Sequence, residues 1–218
     1  MKGIYPPMNK KDIQSEKTKA TIIKAAISLF AKNGFHNTSI AQITEMCQLS
    51  KGALYWHFED KEDLLMAVID QVRQEWKDVL RKNLKRNWSA QKKMENILDL
   101  FVETTLENKE RYVIFIVLIA EFTEVDERFE RALREGFMEF FEFIAQIIDD
   151  GKSEGSIHKD INTNLMAIAF MGVWQGVLLQ WLLNRNEVRL ESLVNCLRSM
   201  VFDGLAPSLK RERIIAKN

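Results

Sequence analysis

Apolar residues recur every three to four positions along nearly the whole chain, and no bounded stretch alternates strictly between apolar and polar, so the pattern predicts an all-helical protein. The first helix is expected over 16–33, with Ile22, Ile23, Ala26, Leu29 and Phe30 on one face and Gly34 as its left-handed terminator. A second begins at Ser39, which forms an S-x-x-Q capping box with Gln42; Ile40, Ile43 and Met46 or Cys47 supply a short apolar stripe that ends near Gln48. Ser50 caps a third short helix running to about His57, and Asp60 with Asp63 caps a fourth over 61–85. That fourth helix carries Leu64, Leu65, Val68, Val72, Trp76, Val79 and Leu80 on one stripe, which makes it a rod long enough to link an N-terminal module to the rest.

Five more helices follow, at 89–108, 110–122, 126–150, 161–184 and 189–209, which gives about nine in all. Gly151 and Gly155 are expected to close the seventh, and Pro207 marks the fraying end of the ninth. Residues 1–14, with scattered lysines and the Pro6-Pro7 pair, read as a flexible arm, and 210–218 as a polar tail. No internal repeat or low-complexity segment interrupts this order.

The informative segment is 38–58, where two short capped helices meet across a tight turn. A helix-turn-helix needs a first helix that crosses the DNA backbone, a turn that fixes the angle, and a second helix whose N-terminal residues enter the major groove. Ile40, Ile43, Cys47, Leu49, Leu54 and Phe58 can close a small core with the first helix. Thr44, Lys51, Gly52, Tyr55, Trp56 and His57 are then left facing fully or partly outward, a polar and aromatic face suited to a duplex. For Tyr55 and Trp56 a place in the core remains the alternative.

Thr38-Ser39 ahead of the second helix, and Ser50-Lys51-Gly52-Ala53-Leu54-Tyr55-Trp56-His57-Phe58 followed by Asp60-Lys61, resemble the signature of the tetracycline-repressor (TetR) family, and within it the multidrug-efflux repressors. The resemblance covers 19–68 in detail and the nine-helix layout loosely. It implies that Thr38 and Ser39 meet phosphate at a helix N-terminus, where free N–H groups favour anions. It also implies that Lys51, Gly52 and Tyr55 lie in the groove: Lys51 donates to guanine or phosphate, Gly52 admits the backbone closely, and Tyr55, Trp56 and His57 pack on sugars, phosphates or thymine methyls. Lys61, opening the fourth helix, is a further phosphate candidate.

The expected fold is thus all-α, with a helix-turn-helix DNA-binding domain over 15–60 and a helical ligand-binding and dimerisation domain over 61–209. The segment 165–183 is apolar nearly all round, and Gly172-x-x-x-Gly176 permits close helix approach. A homodimer interface formed by the eighth and ninth helices, including Leu179, Leu183, Leu193 and Leu197, would match the dimer bundle the resemblance implies, while an intrachain core helix is the alternative. An effector pocket among the fourth to eighth helices follows from the same resemblance. Trp76, Phe101, Phe115, Met138, Phe141, Met171 and Trp174 supply large, adaptable apolar side chains for an apolar or amphipathic small molecule, although most of the aromatic stripe of the seventh helix reads equally as core.

Charge sharpens the picture. Net charge is zero, yet 1–58 holds eight lysines against three acids, an excess that suits capture of a phosphate backbone by the N-terminal module. The two cysteines, Cys47 and Cys196, lack a Cys-x-x-Cys partner and point to a reducing cytoplasm. No secretory signal is expected at the start, and 165–183, though close to the length of a membrane span, lacks aromatic belts and a one-sided basic flank. His36, His57 and His158 have no metal-ligand spacing, and Gly151-Lys152-Ser153 lacks the upstream glycine and strand of a phosphate loop, so neither metal nor cofactor is expected. No nucleophile, base and acid constellation supports an enzyme. An activator, or a DNA-binding factor without a ligand, stays open beside a ligand-released repressor of operator DNA.

Overall fold

The computed structural model describes residues 9–205. Among these it contains nine helices: α1 (Lys10–Asn33), α2 (Ile40–Cys47), α3 (Lys51–Tyr55), α4 (Lys61–Asn83), α5 (Ala90–Glu107), α6 (Glu110–Phe122), α7 (Glu127–Glu154), α8 (Thr163–Asn184) and α9 (Leu190–Leu205). No strand occurs among the described residues, so the all-helical reading stands. The Pro6-Pro7 pair, Pro207 and the tail at 210–218 lie outside the described residues.

Among the described residues two helices depart from the expected boundaries by more than two residues, each for a local reason. α1 starts six residues before the expected Glu16, and residues 10–14 are helix, not arm. The Asn9 side chain accepts the N–H groups of Lys11 and Asp12, both at 2.9 Å, while the Asp12 carboxylate accepts the Asn9 N–H at 3.3 Å. This capping box needs no apolar stripe, which is why periodicity alone does not see it. α7 runs through Gly151 and ends at Gly155, whose φ of 78° supplies the reversal. Gly151 serves packing instead of termination: a Cβ there would stand 2.7 Å from Ile157 Cδ1 and 3.0 Å from Ala90 Cβ.

The described chain forms two compact units. Among the described residues the first unit is 9–76 together with Asn108–Gly136, and the second is Lys77–Glu107 together with 137–205. α6 joins the first unit because it buries Ile114, Leu118 and Phe122 in one core with Ile22, Ala26, Phe30, Ile43, Leu54 and Phe58. Phe129 and Leu133 of α7 close the same core. Each large aliphatic or aromatic side chain buried there contributes about 1.5–3 kcal/mol before entropy is counted.

The second unit buries Ile97 and Leu98 of α5, Ile144 and Ile148 of α7, Phe170 and Trp174 of α8, and Leu190 and Val194 of α9. Polar ties cross it as well: Lys93 pairs with Asp150 at 3.0 Å, Arg198 with Asp99 at 2.5 Å, and the Glu154 carboxylate accepts the Ala90 N–H at 2.9 Å at the start of α5. α8 is, among the described residues, the helix long and apolar enough to cross a membrane. It packs one face inward through Ala167, Phe170, Trp174 and Leu178, while Leu165, Ile168, Val173, Leu179 and Leu183 stand exposed on the other.

Candidate nucleic-acid interface

Local chemistry builds this site from α2, α3 and the turns around them. Ser39 Oγ accepts the Gln42 N–H at 3.3 Å and the Gln42 side chain accepts the Ser39 N–H at 2.7 Å, so the expected capping box is formed. α2 ends at Gln48, a non-glycine residue in the left-handed region (φ 57°, ψ 39°), and Leu49 N–H returns to Thr44 O at 2.9 Å. Ser50 then caps α3 by accepting the Ala53 N–H at 3.1 Å. Between them these bonds fix the angle at which α3 leaves α2.

α3 is five residues long, and its buried side is Leu54. Leu54 and the following Phe58 anchor it in the first core, with Ile40, Cys47 and Leu49 packed alongside. The remaining positions form one outward face. Lys51 and Gly52 are exposed, His57 is half-buried, and Tyr55 and Trp56 expose 52% and 79% of their surface. Those two values rule out the core alternative for both aromatics. A Cβ on Gly52 would meet only Ser50 Oγ, at an ordinary 3.8 Å, so nothing inside the protomer requires glycine there. Lys51 has no carboxylate within ion-pair distance among the described residues, which leaves its charge available.

Three expected contact residues behave differently. Thr38 is 1% exposed, and its hydroxyl donates to Gly34 O at 2.7 Å. Thr44 is also buried, with its hydroxyl 3.0 Å from both Ile40 O and Ala41 O. The short β-branched side chains of both threonines are turned to backbone carbonyls of their own segments, and neither presents a hydroxyl to solvent. Lys61 is half-buried and donates to Phe35 O and Thr38 O, both at 3.0 Å, with its ammonium 4.2 Å from the Phe35 ring centroid. It ties the start of α4 to the turn before α2 and is largely spent there. Ser39 remains exposed at the α2 N-terminus.

The expected pocket residues are divided between the units. Trp76 and Phe115 pack on the first core, Trp76 edge-on to Tyr112 at 5.0 Å. In the second unit Phe101 stacks on Trp174 at 4.3 Å and meets the Phe140 ring edge-on at 5.7 Å, so Phe140 joins a cluster in which it was not expected. Phe141 and Met171 are half-buried, whereas Met138 is 44% exposed and belongs to the surface. None of these residues lines a groove of about 510 Å³ in the first unit, bordered by Thr21 and Lys24 of α1, Met46 and Cys47 of α2, and Gln71 and Glu75 of α4. On its wall Glu75 accepts from Gln71 at 2.9 Å and pairs with Arg111 at 2.9 Å. The Cys47 thiol is pushed up by burial and stays protonated, its Sγ 3.6 Å from Thr21 O.

Of the expected dimer residues, Gly172, Gly176, Leu179 and Leu183 lie on the exposed face of α8, and no atom stands within 4 Å of a Cβ built on either glycine. Leu193 is half-buried. Leu197 is 3% exposed and is a core residue of its own protomer, because α9 turns Leu190, Val194 and Leu197 inward together. No group of three or more potential metal-ligating side chains occurs among the described residues.

Comparison with known proteins bears on this geometry at both ends of the chain. Residues 22–68 match the family model for bacterial regulatory proteins of the TetR family, and 101–197 match the tetracyclin repressor-like C-terminal domain. The HTH-type transcriptional regulator UidR of Escherichia coli K12 is 29% identical over 171 residues, 78% of this chain and 85% of its own. A TetR transcriptional regulator from Chloroflexus aurantiacus superposes with a TM-score of 0.78 at 19% identity, over 89% of this chain and 98% of its own. The transcriptional regulator FadR of Bacillus subtilis, solved in complex with stearoyl-CoA, superposes with a TM-score of 0.74 at 19% identity, over 85% and 98% of the two chains. With the two family models together covering more than half of the sequence and the helix-turn-helix formed where the first of them lies, the chain belongs to the TetR family of helix-turn-helix transcriptional regulators.

Proposed function

We propose that the protein is a homodimeric repressor that binds palindromic operator DNA through Ser39, Lys51, Gly52, Tyr55, Trp56 and His57 and is released by an apolar or amphipathic small molecule. The observation that carries the reading is the α3 face, where an uncommitted lysine, a glycine with no packing role and two solvent-exposed aromatics stand together. Lys51 supplies charge, Gly52 admits the groove wall, and the rings of Tyr55 and Trp56 pack on sugars or thymine methyls. A single five-residue reading helix binds weakly, whereas two copies about 34 Å apart add their half-site energies on one face of the duplex. The exposed apolar face of α8 supports the dimer, because water contact with Leu165, Ile168, Leu179 and Leu183 is relieved when a second copy covers them.

The stacked Phe101 and Trp174 with Phe140 support an apolar effector in the second unit, and the stearoyl-CoA complex of the similar Bacillus subtilis regulator supports an acyl or comparable amphipathic chain. Residues of α4 belong to both units, so a ligand with higher affinity for a tilted α4 would move the reading helices off their spacing. A coupling of about 1–3 kcal/mol lowers operator affinity about 5- to 150-fold. A reducing cytoplasm is the proposed setting.

Footprinting on genomic duplex, with and without long-chain acyl-CoA, tests the reading. Protection of a palindromic site that is lost on adding the amphiphile is expected, as is loss of site-specific binding in Tyr55→Ala with the dimer intact. Protection that no amphiphile relieves would favour a ligand-independent factor or an activator, and unchanged binding by Tyr55→Ala would remove the reading face.

A further inference from the structure

We propose that Glu121, at the C-terminal end of α6, is a positioning residue for DNA binding: it holds the turn that aims the α2 N-terminus without itself touching the duplex. The inference rests on the α2–α3 reading face proposed above and adds a residue 86 positions from its contact in the turn.

Residues 34–38 join α1 to α2, and the turn makes few bonds of its own. Thr38 N–H returns to Phe35 O at 3.1 Å and the Thr38 hydroxyl to Gly34 O at 2.7 Å. Two more tie the turn to α1, from the Thr38 hydroxyl to Leu29 O at 3.3 Å and from the Asn37 amide to Asn33 O at 3.1 Å, and the others come from α4 and α6. Lys61 of α4 donates to Phe35 O and Thr38 O, and Glu121 Oε2 of α6 accepts the Phe35 N–H at 2.8 Å. Thr38 directly precedes Ser39, the cap of α2, so whatever fixes residues 35 and 38 also fixes the N–H groups that the α2 terminus offers to phosphate.

Gly34 shows how closely the carboxylate is fitted. Its backbone, at φ 82° and ψ 165°, lies where side chains are strained, and a Cβ would stand 2.4 Å from Glu121 Oε1 and 3.2 Å from its Cδ. The missing side chain is what lets the carboxylate lie against the turn. The residue after Glu121, Phe122, meets the Phe35 ring edge-on at 5.4 Å. One turn of α6 therefore grips Phe35 twice, by backbone and by ring, and α6 in turn sets the placement of α2. A part-buried hydrogen bond to a charged acceptor is strong enough for its loss to be read in affinity.

The test compares Glu121→Ala, Glu121→Gln, Gly34→Ala, the Gly34→Ala/Glu121→Ala pair and Lys51→Ala in the full-length protein, with operator Kd, its salt dependence and the melting temperature as readouts. Well below its melting point, Glu121→Ala is expected to bind operator about tenfold more weakly with the salt slope of wild type, since no phosphate contact is removed. Glu121→Gln, which keeps an acceptor oxygen, restores binding to within about twofold. Lys51→Ala lowers the slope by about one. Gly34→Ala displaces the carboxylate by itself, so the pair binds no worse than Gly34→Ala alone.

Wild-type affinity in folded Glu121→Ala overturns the proposal when Lys51→Ala loses binding. So does equal weakening in Glu121→Ala and Glu121→Gln, or additive penalties in the pair. If Lys51→Ala binds as wild type does, it is the reading face that fails. Amide exchange then still judges Glu121, because Phe35 must lose protection in Glu121→Ala and keep it in Glu121→Gln.

Discussion

Gly52 occupies the first turn of α3, is exposed, and has no neighbour that a methyl group would crowd. In an exposed helix alanine is favoured over glycine by about 0.5–1 kcal/mol. Gly52→Ala is therefore expected to raise the melting temperature while weakening operator binding, opposite signs that a purely structural glycine would not give. Calorimetry and a binding isotherm on the same preparation check this, and a variant that is more stable and binds DNA unchanged removes Gly52 from the contact set. Thr38, Thr44 and Lys61 teach the converse lesson. Their types and positions suit phosphate contact, but each spends its polar atoms on the chain's own carbonyls. Sequence spacing gives the neighbourhood of a side chain and leaves open which of two nearby acceptors it takes.

Among the helices, the tie between α5 and α7 offers a pH-dependent test. Asp150 of α7 accepts from the Gln146 amide and from Lys93 of α5, both at 3.0 Å, and these bonds hold its carboxyl below the usual carboxylate range. A folded-state pKa below that of the unfolded chain means that the bond's contribution is complete above the ordinary value of about 3.9 and is lost as pH falls through the folded value. Asp150→Asn is thus expected to be less stable than wild type at neutral pH, with the gap closing below about pH 4. Urea denaturation of both proteins across that range checks it, and a gap that widens toward acid would contradict the assignment. The helix ends follow equally local rules. Asn9 with Asp12 and Ser39 with Gln42 form capping boxes from neighbouring residues alone. Gly151 lies inside its helix and answers to packing instead, since the side chains of Ile157 and Ala90 press on the space a Cβ would fill.

The molecule as a whole carries zero net charge, and among the described residues α8 presents a long apolar face to solvent. Ile168, 58% exposed on α8, can take a charge without disturbing the protomer's core. Ile168→Glu is expected to keep wild-type helicity by circular dichroism, to sediment as a monomer, and to lose operator affinity because the two half-sites are no longer joined. A stable homodimer of standard size covers about 800 Å² on each partner, which a charge at the centre of an apolar patch opposes directly. A variant that still sediments as a dimer would move the interface elsewhere.

Helix number and type, the capped α2–α3 pair and the outward α3 face follow from the sequence itself, because periodicity, capping boxes and a tight turn act within a few residues of one another. Other features required the folded chain. The partition that takes α6 into the first core, the inward turn of Leu197, the division of Trp76 and Phe115 from Phe101 and Trp174, and the grip of Glu121 on Phe35 are all contacts between residues far apart in the chain. Their energies exist only once the helices are packed, since a helical stripe specifies that a face is buried and carries no information on which partner buries it.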